Sequence, residues 1–158
     1  QRNIGNVRIA EGKLDDALAA FQKIPEDAGK EYFAAILSMG NAYVGQGNHE
    51  RAVEEYLKIP KSDIEIEGRF MIGQVEAKEI GPGFMLRIPN ITWGEFNAYN
   101  FAQYNAGFAL YHHLDRKKQA LKHFENIQEP GKLYDAAQKY IDMIKEDLKK
   151  PVNKGKIT

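Results

Sequence analysis

Cysteine is absent from the 158 residues, which excludes disulfides, thiolate metal ligands and a cysteine nucleophile. Neither sign of charge is in excess. Lys and Arg total 22, as do Asp and Glu, so the total charge gives no drive toward nucleic acid or an acidic substrate. No apolar run approaches the ~18 residues that a membrane-spanning helix needs. No signal peptide is visible at the start. Gln1 opens the chain inside a helical-looking segment, so the natural protein is expected to continue upstream. The compartment stays open between cytoplasm and, if a signal was removed with that part, periplasm.

Chemistry-bearing constellations are equally scarce. The segment GPGFM at 81–85 lacks the Lys and the following helix of a phosphate-binding loop. No Ser sits in a recognisable elbow. His112 and His113 are adjacent, so on a helix they point in different directions and make a poor metal pair; His123 lies ten residues on. Asp15 with Asp16, and Glu54 with Glu55, read as solvated helix faces. The lysines at 145, 149, 150, 154 and 156 read as a solvated tail. No catalytic residue, metal or cofactor is expected.

What the chain has is 43% hydrophobic residues, enough for one domain with a sizeable core, and an internal repeat. Shifting the sequence by 35 places Gly5 on Gly40, Asn6 on Asn41, Gly12 on Gly47 and Ala17 on Ala52. Lys23, Ile24 and Pro25 fall on Lys58, Ile59 and Pro60, and Phe21 falls on Tyr56. The unit returns at Gly107, followed by Ala120, Phe124 and Ile127, with one extra residue in the turn. Gly73 lies between them and puts four units on one period. Each unit reads as two helices. Ala52, Tyr56 and Ile59 share one helical face, Gly47 suits a left-handed helix end, and Asn48 suits the next N-cap. Ser62 with Glu65 and Thr92 with Glu95 resemble capping boxes. Leu133, Ala137, Tyr140, Ile141 and Ile144 form the apolar stripe of a last helix.

The series Gly40, Tyr43, Gly47, Ala52, Tyr56 and Pro60 resembles the tetratricopeptide repeat family. That resemblance implies an all-α fold: a right-handed superhelical stack of antiparallel helix pairs, an α-solenoid with a C-terminal capping helix. The units would lie near 1–25, 30–60, 63–92 and 93–130, with the cap at 131–150 and a flexible tail at 151–158. Unit one departs from the pattern at Arg8 and unit three at Glu76.

Unit three also lacks a second helix. Gly81, Pro82, Gly83 and Pro89 argue against one, yet Phe84, Met85, Leu86, Ile88, Ile91 and Trp93 make the segment apolar. It either fills the space of the missing helix or forms a partner-binding edge through Phe84, Met85 and Trp93.

The resemblance further implies a non-catalytic interaction scaffold with a concave face built from first helices. That face would hold Asn6, Leu37, Asn41, Val44, Phe70, Gln74, Tyr104, Phe108 and Tyr111. A protein, a peptide or a second copy of the chain would be the partner. The aromatic stripe Phe101, Tyr104, Phe108 and Tyr111 reads equally as core. One subtype of the family grips C-terminal carboxylates with Lys, Asn and Arg. Here Arg2 and Asn6 match, whereas Ser38, Glu67 and Met71 do not, so chaperone-tail binding is not expected. The alternative function is a small-molecule or lipid-binding helical domain using the apolar 84–93 region.

Overall fold

Ala17, Leu18 and Phe21 recur at helical spacing and form the buried stripe of helix α1 (Leu14–Gln22). The computed structural model describes residues 13–71, 76–88, 91–128 and 130–150. A short 3-10 turn at Glu26–Ala28 follows Pro25 and leads into α2 (Lys30–Gly45) and α3 (His49–Tyr56). The break between α2 and α3 follows from Gly47 and Asn48. Gly47 takes φ +76, and its N–H donates to Val44 while Asn48 N–H donates to Tyr43, so two orphan carbonyls are satisfied. Asn48 Oδ1 then accepts from Arg51 N–H and caps α3. Contacts diverge symmetrically from this turn: Arg51 meets Tyr43, and Tyr56 meets Gly40. The two helices therefore run antiparallel.

Helices α4 (Ala98–His112) and α5 (Lys117–Glu125) repeat this arrangement, and α6 (Lys132–Lys149) follows. Equivalent positions behave alike. Ala17, Ala52 and Ala120 are all fully buried, as are the aromatics Phe21, Tyr56 and Phe124 four residues further on. The extra residue of the later pair sits at the helix end. Leu114 N–H reaches Ala109 and Arg116 N–H reaches Leu110, where the earlier pair uses Gln46 to Ala42 and Asn48 to Tyr43. Each hydrogen-bonded ring is one residue larger. Asp115, at φ 51, takes the left-handed role that Gly47 fills earlier. Asp tolerates that region better than most side chains.

Neighbouring helices pack in chain order, α1 on α2 through α5 on α6, and α3 packs directly on α4. Residues 61–97 are thus an excursion between two stacked helix pairs. Its regular elements, among the described residues, are β-strands. Strand β1 (Glu65–Met71) pairs antiparallel with β4 (Ile91–Asn97), and β2 (Glu76–Gly81) pairs antiparallel with β3 (Phe84–Ile88). The pairs nest, so the chain goes out and returns along one hairpin. Four residues separate β1 from β2 and two separate β3 from β4, which displaces the register by two. Pro82 and Gly83 make the turn. Gly83 has φ +78, which fits a type II turn with Pro ahead of Gly. At the base, Ile66 and Phe96 sit opposite each other and are buried in the common core. Ala98 N–H donates to Ile64 at 2.8 Å, and Asn97 Nδ2 donates to the Ser62 carbonyl at 2.6 Å, closing the mouth of the excursion.

The fold is mostly helical and all-α-like overall, with two small antiparallel sheets that were not expected. The described residues of 63–92 form no helix, because Ile64 and Ile66 alternate with Asp63, Glu65 and Glu67 at a period of two, which is a strand pattern. Glycines at 68 and 73 add to the cost of a helix there. The capping boxes also fail. Ser62 Oγ accepts from Ile64 N–H with no helix following, Thr92 lies in β4, and Asn97 is the residue that caps α4 by accepting from Asn100 N–H.

Gly40 sets how closely α2 and α3 approach. A Cβ there would lie 2.3 Å from Tyr56 Cε1. Gly40→Ala should therefore destabilise the protein by about 1–3 kcal/mol in urea unfolding, through overpacking, although Ala favours a helix by ~1 kcal/mol. Gly45→Ala is the control, since its Cβ would meet the flexible end of Leu14 at 3.3 Å and should be near neutral. Equal stability of the two variants would remove the Tyr56 contact as the determinant of helix spacing.

Candidate functional site

Helix α4 carries an aromatic row at helical spacing, and α6 supplies the residue that organises it. The Tyr140 ring stacks on Phe124 at 4.7 Å and 5° and meets Tyr104, Phe108, Tyr111 and His112 edge-on at 5.6–6.2 Å. Such pairs add about 0.5–1.5 kcal/mol each beyond burial. The polar ends are matched as well. Tyr104 hydrogen-bonds the Tyr140 hydroxyl, which lies 2.8 Å from His112 Nε2, and the Tyr111 hydroxyl donates to Asp147 at 3.2 Å. Burial pushes the Tyr140 phenol up to about 12. Burial, with Asp147 second, also raises Tyr111. Burial depresses His112, and the neighbouring His113 adds to the effect.

Deeper in the seam, Gln103 is buried, and its Oε1 accepts from His123 Nδ1 at 2.8 Å and from Asn126 Nδ2 at 3.1 Å. Burial also lowers His123, with Lys122 adding to it. This is a satisfied core network.

The buried Tyr56 hydroxyl of α3 donates to Asn41 Oδ1 of α2 at 2.6 Å. The Asn41 oxygen is thereby engaged, and its amide nitrogen is the group left for an outside acceptor. Burial raises the Tyr56 phenol well above the usual tyrosine range. Arg51 lies over the Tyr43 ring at 5.2 Å and donates to its hydroxyl.

The residues expected to form one concave face therefore separate. Asn41 is exposed, and Val44, Phe108 and Tyr111 are half-buried. Leu37 is 3% exposed and Tyr104 1%, so both are core, and a partner could not touch them without unfolding. Asn6 and Gln74 lie outside the described residues, as do the side chains of Phe70 and Trp93. Phe84 and Met85 stand at the hairpin tip, 70% and 60% exposed, with Ile80 beside them. At that exposure they do not fill a missing helix's place.

The repeat pattern gives no signal for Tyr140 as the hub of the aromatic seam, nor for the stacking of His49 on His113. These residues meet from helices far apart in sequence. A cleft of about 400 Å³ also lies between the hairpin base and the start of α6, bordered by Glu65, Glu95, Asn97, Asn100 and Lys132. Among the described residues, no group of three or more His, Asp or Glu is placed to hold a metal ion, and no helix is long and apolar enough to cross a membrane. Compared with known proteins, the chain matches no family model and no curated sequence.

Alkaline unfolding tests the seam. Phenols in the unfolded chain release protons near ~10, whereas folded Tyr140 holds its proton to about 12. Between these values the unfolded state binds fewer protons, so stability falls as pH rises. Tyr140→Phe should lower stability at neutral pH and flatten that alkaline slope; an unchanged slope would show that the phenol is not held protonated by the fold.

Proposed function

We propose that this chain is a non-catalytic protein-interaction scaffold of the tetratricopeptide type, which holds a peptide, a helix or a partner protein on the exposed part of its first helices. The observation that carries this reading is the recurrence of one helix-pair design at equivalent positions of α2–α3 and α4–α5. Gly40 accommodates Tyr56 and Gly107 accommodates Phe124. Ala52 and Ala120 sit at the close approach, and Gly47 and Asp115 end the first helix. Stacked pairs of this kind share a continuous core and present an extended surface. Asn41, Val44, Phe108 and Tyr111 supply that surface with one amide donor and apolar area for a partner's backbone and side chains. The hairpin tip, with Ile80, Phe84 and Met85, is a second exposed apolar element.

Selection of displayed peptides against the wild-type protein, followed by calorimetry, tests the reading. Asn41→Ala and Phe108→Ala should each weaken a selected peptide about tenfold, equivalent to ~1.4 kcal/mol. Both variants should keep the far-UV spectrum of the wild type. Full affinity in both variants would move the site off these helices. Tyr104→Ala is unsuitable, since Tyr104 is core. Sedimentation at several concentrations addresses a second copy as the partner; a monomer throughout would exclude it.

A further inference from the structure

We propose that His49 and His113 form a proton-sensitive clasp, which holds α3 against the α4–α5 turn while at most one ring is charged and lets go when both are. The inference does not depend on the interaction reading above. The two imidazoles stack face to face, with centroids 3.9 Å apart and planes within 3°. His49 is the first residue of α3, and His113 is the residue that ends α4. They therefore join the two helix pairs at the end of the α3–α4 contact opposite the one from which the β-hairpin departs.

Their positions are unequal. A cation is disfavoured at the N-terminus of α3, where His49 sits. His49 Nδ1 is buried with no hydrogen-bond partner among the described residues, so protonating it would leave a charged donor unsatisfied. Two protons would set like charges against each other at stacking distance.

The surrounding charges do not relieve this. Glu50 on α3 is engaged by Arg116 of the turn. Arg51 is engaged by Tyr43 of α2 and by Glu54. Lys117 on α5 lies 3.7 Å from Asp147 of α6, and Asp115 is in the turn itself. His112 on α4 has its Nε2 on Tyr140. Among the described residues, no carboxylate hydrogen-bonds either stacked ring. Burial first, then His113, lowers the value for His49. Because that value is depressed on folding, the associated stability is present above ~6.5 and is lost as pH falls through the folded value. The Arg116–Glu50 pair bridges the same junction.

Imidazole NMR titration from about pH 8 to about pH 5, with thermal melts at both ends, tests the clasp on the intact chain. His113→Phe keeps a ring for stacking and removes the second charge. His49 should then titrate at a higher pH than in the wild type, and the acid loss of Tm should shrink. If His113→Phe does not fold, His49→Phe serves, and it should also lose less Tm on acidification than the wild type. The proposal is overturned if His49 titrates at the same pH with and without His113. It is overturned equally if the folded variant's acid loss of Tm matches the wild type.

Discussion

The ring of Tyr56 occupies the space that any side chain at residue 40 would need, and the ring of Phe124 does the same at residue 107. This contact between a missing Cβ and an aromatic face governs the rest of the molecule. It lets each helix pair close tightly enough for Ala52 and Ala120 to be sealed from water. The aromatic then has its outer part free for the next layer. Phe124 passes its other contacts to Tyr140 and Tyr104, and the Tyr56 hydroxyl reaches through to Asn41. One steric constraint thus sets the helix spacing, the composition of the core and the polar group presented at the surface.

Stacking of successive layers explains how the chain tolerates a long β-excursion. Helix α3 rests on α4 through side chains that are far apart in sequence, so the path between them is free provided its ends meet. The ends are fixed by Ile66 and Phe96 in the core and by the Ala98–Ile64 and Asn97–Ser62 hydrogen bonds. Beyond that base the hairpin answers to its own pairing and its Pro–Gly turn, and its tip presents apolar side chains to solvent. A similar tolerance operates on a smaller scale at Asp115. An inserted residue enlarges two hydrogen-bonded rings by one, while the buried alanine and aromatic stay in place.

The polar groups follow the same division. Gln103 with His123 and Asn126, and Tyr140 with His112, are satisfied networks that fix how α4, α5 and α6 sit together. Neither needs an external ligand. The groups with capacity left over lie at the margins: the Asn41 amide, the tip of the hairpin and the stacked histidines at the junction.

The sequence by itself determined what depends on local geometry. Gly47, Asn48, and the spacing of Ala52, Tyr56 and Ile59 dictate a helix end, a cap and a buried stripe, because each acts within a few residues of itself. The same periodicity misled at residues 63–92. There Gly73 kept the repeat's spacing while Ile64 and Ile66 kept a strand's alternation, and the alternation won because Ile66 could pair with Phe96 thirty residues away. Tertiary structure alone decided which members of an aromatic stripe were core. Tyr104 and Phe108 look alike in sequence, but the arrival of α6 buries the first fully and leaves the second half open. It alone brought His49 onto His113 and Tyr140 into the seam, since those contacts join helices whose relative placement is set by packing and not by any pattern along the chain.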